Sequence, residues 1–364
     1  MTKIPEPSDQ FVTQAKFEEF TDLVTSEFQI EEALIHYNVP TYYLSQPQET
    51  KQSFLRLLDK LETMDSIPVL RENNGSTVLR VVPKPHPKPS NILINWILFF
   101  ATIATTFLTG YILSLDLVER GAMSNPLVGG LSFTVAIMAV LGTHEMGHKL
   151  SANKSHIDAT PPYFIPGPPP VFGILGIGTF GAVIKQKSLP PNRDALFDVG
   201  SSGPVVGFIL AVVVSVIGFM ISPVYPPPLP EGGLPAPLFL HLLMRFVIQL
   251  PQNHYILLHP VAFAGWVGMV VTMLNLLPAA MLDGGHVARA IASEKTRKIL
   301  TTLSVLLLIL QGFWPMAFFV IFLAMNRHPG PLDDVSPLST DRKLKTIGLV
   351  VVFILCSFPF IGIF

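Results

Sequence analysis

Apolar positions along the chain follow two regimes that meet near residue 88. Up to that point they are sparse and periodic. Within 48–64, Phe54, Leu57, Leu58 and Leu61 recur at helical spacing and predict an amphipathic helix. The stretch TYYLS at 41–45 reads as a strand. Segments 67–71 and 77–82 read as a hairpin around Asn73, Asn74 and Gly75. Residues 1–83 are therefore expected to form a small soluble α/β domain. The proline-rich segment 84–90 is a stiff linker.

From residue 91 to 364 the apolar positions fuse into runs. A helix crossing a bilayer takes roughly 20 apolar residues. Runs at about 92–115, 127–150, 199–224, 259–282 and 346–364 meet that need. The run 299–325 is too long for one crossing of a core about 30 Å thick. The sequence QGFWP at 311–315 can break it into two short crossings, 299–312 and 314–326. The expected fold is a polytopic α-helical membrane protein with six or seven transmembrane segments, preceded by the soluble α/β domain.

Composition agrees. The hydrophobic fraction is 49% and the charged fraction only 13%, against about 25% charged in an average soluble domain. Residues 1–89 hold 13 of the 25 acidic and 9 of the 24 basic residues. A net charge of −1 gives no electrostatic case for nucleic acid. Cys356 is the only cysteine, so any metal must be held by histidine and carboxylate. Lys149, Lys154, Lys185, Lys187 and Arg193 follow the second run, and Lys295, Arg297 and Lys298 follow the fourth. By the positive-inside rule these loops and the N-terminus are cytoplasmic. The first twenty residues carry no apolar leader and are acidic for a transit peptide, so the expected location is a prokaryotic plasma membrane.

Against this background one stretch is out of place. Residues 127–143 carry no charge, yet they lead directly into His144-Glu-Met-Gly-His148. On a helix, residues four apart share a face, so both imidazoles can reach one ion, and Glu145 can act as a general base beside it. A catalytic zinc needs a third protein ligand. Asp283 is the only acid between Glu231 and Glu294, and it ends an apolar run at the depth expected for His148. A lone carboxylate there is costly unless it is paired or bound to metal. Asp283 is the best third ligand, and His286 is the competitor. His36, His86 and His328 read as surface residues.

HEMGH together with NLLPAAMLDGGH (275–286) resembles the site-2 protease family of intramembrane zinc metalloproteases. Segments 178–207 and 259–286 are similar to its EGY-type branch. The stretch 225–258 is too short for the PDZ module that well-known bacterial members insert. The resemblance implies one Zn²⁺ held by His144, His148 and Asp283, with Glu145 as the catalytic base. It implies single-span membrane protein substrates reached within the lipid bilayer, with an upstream site-1 type protease as a further partner. It also implies that the glycine-rich stretch 173–184 forms a re-entrant hairpin. There Gly178, Thr179, Phe180 and Gly181 pair with an unwound substrate; a buried connecting loop is the alternative. Asn275 is a candidate donor to the oxyanion or to substrate backbone, or else a bridge between helices. Two other functions compete: a transporter or metal permease, and a protein that binds membrane helices without cutting them.

Overall fold

The computed structural model describes residues 12–86, 89–170, 176–226, 234–248 and 254–357. Linker residues 87–88, residues 173–175 of the glycine-rich stretch and the end of the last apolar run lie outside the described residues. The chain forms two compact units. One comprises residues 1–88, 188–196 and 329–339, and the other comprises the rest.

In the first unit the order is α1 (Gln14–Thr25), β1 (Ile30–His36), β2 (Val39–Leu44), α2 (Lys51–Glu62), β3 (Ser66–Asn73) and β4 (Ser76–Pro83). The four strands form an antiparallel sheet in the order β1-β2-β4-β3. Asn74 and Gly75, both with positive φ, make the two-residue turn that the Asn-Gly pair predicts. Tyr37 and Asn38 turn β1 into β2 in the same way without a glycine. Phe20 and Val24 of α1 and Phe54, Leu57 and Leu61 of α2 pack on Tyr42, Leu70 and Leu79. The outer edge of β3 is covered by 332–334: the Leu70 N–H donates to Leu332 O at 2.9 Å, and the Asp334 N–H donates to Leu70 O at 3.2 Å. Asp194 accepts from Lys51 at 3.1 Å and from the Ser339 N–H at 2.9 Å. This unit is therefore assembled from three separated pieces of chain.

The second unit is helical: α3 (Ile92–Glu119), α4 (Pro126–Lys154), α5 (Arg193–Met220), α6 (Leu238–Val247), α7 (Pro260–Leu276), α8 (Asp283–Ile291), α9 (Glu294–Leu310), α10 (Trp314–Ala324) and α11 (Thr340–Cys356). Two small hairpins interrupt it, β5 (Tyr163–Pro166) with β6 (Thr179–Val183), and β7 (Val224–Tyr225) with β8 (Tyr255–Ile256). Asn91 caps α3, and Asn125 with Pro126 starts α4, each side chain accepting a first-turn N–H. The core is drawn from α4, α5 and α7, with Phe133, Ile137, Val140, Ala211, Ala264 and Met269 among its fully enclosed residues.

This is a polytopic helical membrane protein with a soluble N-terminal sheet domain, but the count of crossings needs correction. Only α3, α4 and α5 are long and apolar enough to cross a membrane among the described residues. Helices α7, α6 and α10 are apolar but shorter, with 17, 10 and 11 residues. At about 1.5 Å per residue, 17 residues reach only about 26 Å. The fourth run is shortened because Pro278 follows Leu277 and stops α7. The expected break at 311–315 is present: Gly312, with φ +81°, turns α9 into α10.

Candidate metal centre

Helix α4 carries His144 and His148 one turn apart on its buried face, with Glu145 also buried. Asp283 comes from elsewhere. It does not end the fourth run, as expected from the sequence, but is the first residue of α8, reached after the chain turns at Ala280 with φ +47°. This turn brings its carboxylate onto the histidines. His144 Nε2 and Asp283 Oδ2 are 3.2 Å apart, His148 Nε2 and Asp283 Oδ2 are 3.2 Å apart, and the two Nε2 atoms are 3.2 Å apart.

Three donor atoms thus form a near-equilateral triangle. In a tetrahedral zinc site with bonds of about 2.0–2.1 Å, neighbouring ligand atoms lie about 3.3 Å apart. The triangle has the dimensions of one face of that tetrahedron. His144, Glu145 and His148 also form a group able to hold a metal ion. Distances separate the two acids, because Glu145 Oε1 is 4.0 Å from His144 Nε2. Asp283 fits the ligand position, and Glu145 stands just beyond it.

The His148 imidazole is oriented by backbone. His148 Nδ1 lies 2.7 Å from Val199 O. A carbonyl can only accept, so Nδ1 carries the proton and Nε2 presents its lone pair to the triangle. Helix α5 approaches here through glycines. A Cβ on Gly203 would lie 2.1 Å from His148 Nε2, and one on Gly207 would lie 2.9 Å from His144 Nδ1. The four-residue spacing of Gly203 and Gly207 puts both on the face of α5 that meets the two histidines.

The remaining candidates are distributed as follows. Asn275 Nδ2 is 3.3 Å from His144 Nε2, so its amide borders the triangle. His286 turns to His328, with Nδ1 and Nε2 2.8 Å apart. His328 is buried, contrary to the surface position expected. Burial above all, then the nearby His286, pushes its imidazole down to about 3. Among the described residues of the glycine-rich stretch, only 179–183 is strand. Its partner is the upstream YFIP segment, which the surrounding prolines disguised as loop. Gly178 and Thr179 are buried, Phe180 projects outward at the bulge of the pairing, and Gly181 has φ +102° with open space where a Cβ would stand. The end of β6 reaches the metal centre, because the Ile184 backbone N–H donates to the Glu145 carboxylate.

Residues 132–311 match the model of Peptidase family M50. The chain belongs to that family. It is 30% identical over 242 residues to the Arabidopsis thaliana protein named "Probable zinc metalloprotease EGY2, chloroplastic", which covers 63% of this chain and 41% of that protein. It is 26% identical over 305 residues to the EGY2 protein of Oryza sativa subsp. indica, covering 79% and 53%. To the Arabidopsis EGY1 protein it is 28% identical over 238 residues, covering 61% and 42%. The M50 chain spans about half the length of the curated relatives it matches. No solved structure matches it. These relatives place it on the EGY-type branch of the site-2 proteases.

The same relatives overturn the expected prokaryotic plasma membrane, for they are named as chloroplastic proteins of plants. The sequence argument failed for a physical reason. Apolar runs and flanking bases report that a bilayer is crossed and do not distinguish one bilayer from another.

Proposed function

We propose that this M50 chain is an intramembrane zinc metalloprotease, a hydrolase that cuts peptide bonds within the transmembrane helices of single-span, membrane-anchored substrates. The observation that carries the reading is the 3.2 Å triangle of His144, His148 and Asp283, with Glu145 just outside it.

In this reading His144, His148 and Asp283 hold one zinc ion per chain. Bound zinc supplies Lewis acidity, acidifying water and polarising the scissile carbonyl. Glu145 takes a proton from the attacking water as its oxygen bonds to the carbonyl carbon. It returns that proton to the amide nitrogen as the C–N bond breaks, so the products are a carboxylic acid and an amine, which become carboxylate and ammonium by passing the acid's proton to the amine, and Glu145 is restored. The Ile184 N–H holds the carboxylate in place. The Asn275 amide is positioned to donate to negative charge developing on the carbonyl oxygen.

A helical substrate must be unwound first, and the polar groups it frees need partners inside the bilayer. Strand β6 supplies them through the backbone of Thr179, Phe180 and Gly181, while Gly178, its N–H and carbonyl already bonded, holds the strand in place. Helix pairs such as α9 and α10 complete six or seven crossings where short helices meet a locally thinned bilayer. A site-1 type protease acting first on the same substrates fits this role.

The test uses the full chain in liposomes with a single-span substrate in H₂¹⁸O. Hydrolysis places ¹⁸O in the new C-terminal carboxylate. Glu145→Gln should retain zinc and abolish that label. A Glu145→Gln chain with full function would instead favour a permease.

A further inference from the structure

Helix α3 lies outside the segment that matches the family, 132–311, yet it carries an unusual row of polar residues for a membrane span. Asn95, Thr102, Thr106, Thr109 and Ser114 are all buried. All four hydroxyls return to their own helix: Thr102 donates to Leu98 O, Thr106 to Thr102 O, Thr109 to Thr105 O and Ser114 to Gly110 O. Two side chains reach outward, and both reach the segment that forms the β5–β6 hairpin.

At one end Asn95 Nδ2 donates to Pro162 O at 2.9 Å and to Pro161 O at 3.3 Å, directly before β5. Ten residues further along α3, about 15 Å at helical rise, Thr105 Oγ1 donates to Gly178 O at 2.6 Å, directly before β6. This is the shortest of the three contacts of that hydroxyl. Gly178 is held against the helix so closely that a Cβ would lie 2.5 Å from Thr109 Oγ1 and 2.7 Å from Thr105 O, and its φ of +75° suits only glycine. The far end of β6 ends at Glu145 through the Ile184 N–H. Strand β6 is thus suspended between Thr105 and the carboxylate of Glu145.

We infer that α3 is the hanger of the hairpin, and that Asn95 and Thr105 are positioning residues that set which bond of a substrate strand lies over the metal centre. The inference rests on the proposal that β6 receives the substrate. With Thr105 engaged, β6 has one register relative to Glu145. Without it, the strand keeps its pairing with β5 and its bond to Glu145 but loses its tie to α3, and the substrate bound along it can shift.

The experiment reads the cut site and not only the rate. Full-length chain in liposomes is given a single-span substrate, and product termini are determined by mass spectrometry. Thr105→Val keeps the shape and removes the donor. It should spread cleavage to neighbouring bonds and slow it by roughly tenfold, the scale of one lost buried hydrogen bond. Zinc content should be unchanged, and Thr105→Ser should restore both the site and the rate. Asn95→Leu should act in the same direction. Cleavage of the same bond at the same rate by Thr105→Val would overturn the inference. So would loss of zinc from that variant, which would assign Thr105 to the fold alone. Phe180→Pro tests the underlying reading separately: if it cuts normally, β6 does not receive the substrate, whatever Thr105→Val does.

Discussion

His148 donates from Nδ1 to the carbonyl of Val199 at 2.7 Å, so a backbone atom of α5 fixes the direction in which a side chain of α4 offers its lone pair. The bond is possible because Gly203, one turn on, has no side chain. The His148 ring occupies the space a methyl group would need. Orienting bonds of this kind are typically worth 10- to 100-fold in metal affinity.

Gly203→Ala is therefore expected to empty the site. On helix propensity alone the change should stabilise α5 by about 1 kcal/mol. Here the new Cβ would fall 2.1 Å from His148 Nε2, and either the ring or the helix must move. Zinc content after purification should fall well below one per chain while the helical circular dichroism signal is kept. A Gly203→Ala protein with full zinc would mean that the ring direction is unimportant.

Asp283 and His286 make opposite predictions. Asp283→Ala leaves two ligands, too few for a catalytic site, and competition with a chelator should show a large loss of affinity. His286→Ala removes a partner of His328 and leaves the triangle intact. Its zinc affinity should stay within a few-fold of the parent. The reverse ranking would make His286 the third ligand.

The soluble unit should lose stability in acid. Glu27 is held below its usual carboxylate range, first by the hydrogen bond from Lys60 and also by Arg56. A lowered folded-state pKa contributes stability above the unfolded value near 4.5, and that contribution disappears as pH falls through the folded value. Lys60 and Arg56 are largely exposed, so the contribution is at most about 1 kcal/mol. Hydrogen exchange of α1 and α2 in the full chain should therefore speed up more between pH 6 and pH 3 in the parent than in Lys60→Met/Arg56→Met. Equal acid sensitivity would remove Glu27 from the account.

How much of this was readable beforehand depended on the range of the interaction. His144, Glu145 and His148 were legible because helical spacing alone puts them together. Asp283 was legible because a single carboxylate in an apolar run has few other uses. Its mounting was not: the turn at Ala280 is a left-handed residue without a glycine to mark it. Strand β5 was hidden because Pro161, Pro162 and Pro166 suggest loop, although carbonyls of two of them are bonded by Asn95. The edge contact of Leu70 with Leu332 and Asp334 joins positions more than 260 residues apart, and no local pattern carries it. The lengths of the later crossings were overread because an apolar run sets an upper limit on a helix. Where proline or glycine falls inside the run decides its actual length.

The substrate itself supplies the last prediction. A bond in a stable helix must leave its i to i−4 ladder before its carbonyl can enter the triangle. Glycine costs a helix about 1 kcal/mol relative to alanine and proline about 3. Each 1.4 kcal/mol is about tenfold in the unwound population, so two such residues near the scissile bond should speed cleavage by about 10- to 100-fold. Replacing them with leucine should slow cleavage by the same factor at unchanged substrate insertion. Phe180→Pro or Val183→Pro in the enzyme should block cleavage of both substrates with zinc still bound, because proline removes a backbone donor from β6. Phe180 and Val183 are both exposed, at 74% and 50%, so neither change opens a cavity in the core. If all-leucine and glycine-containing substrates were cut equally fast, and the proline variants stayed active, unwinding would not limit the reaction and β6 would be only a support for Glu145.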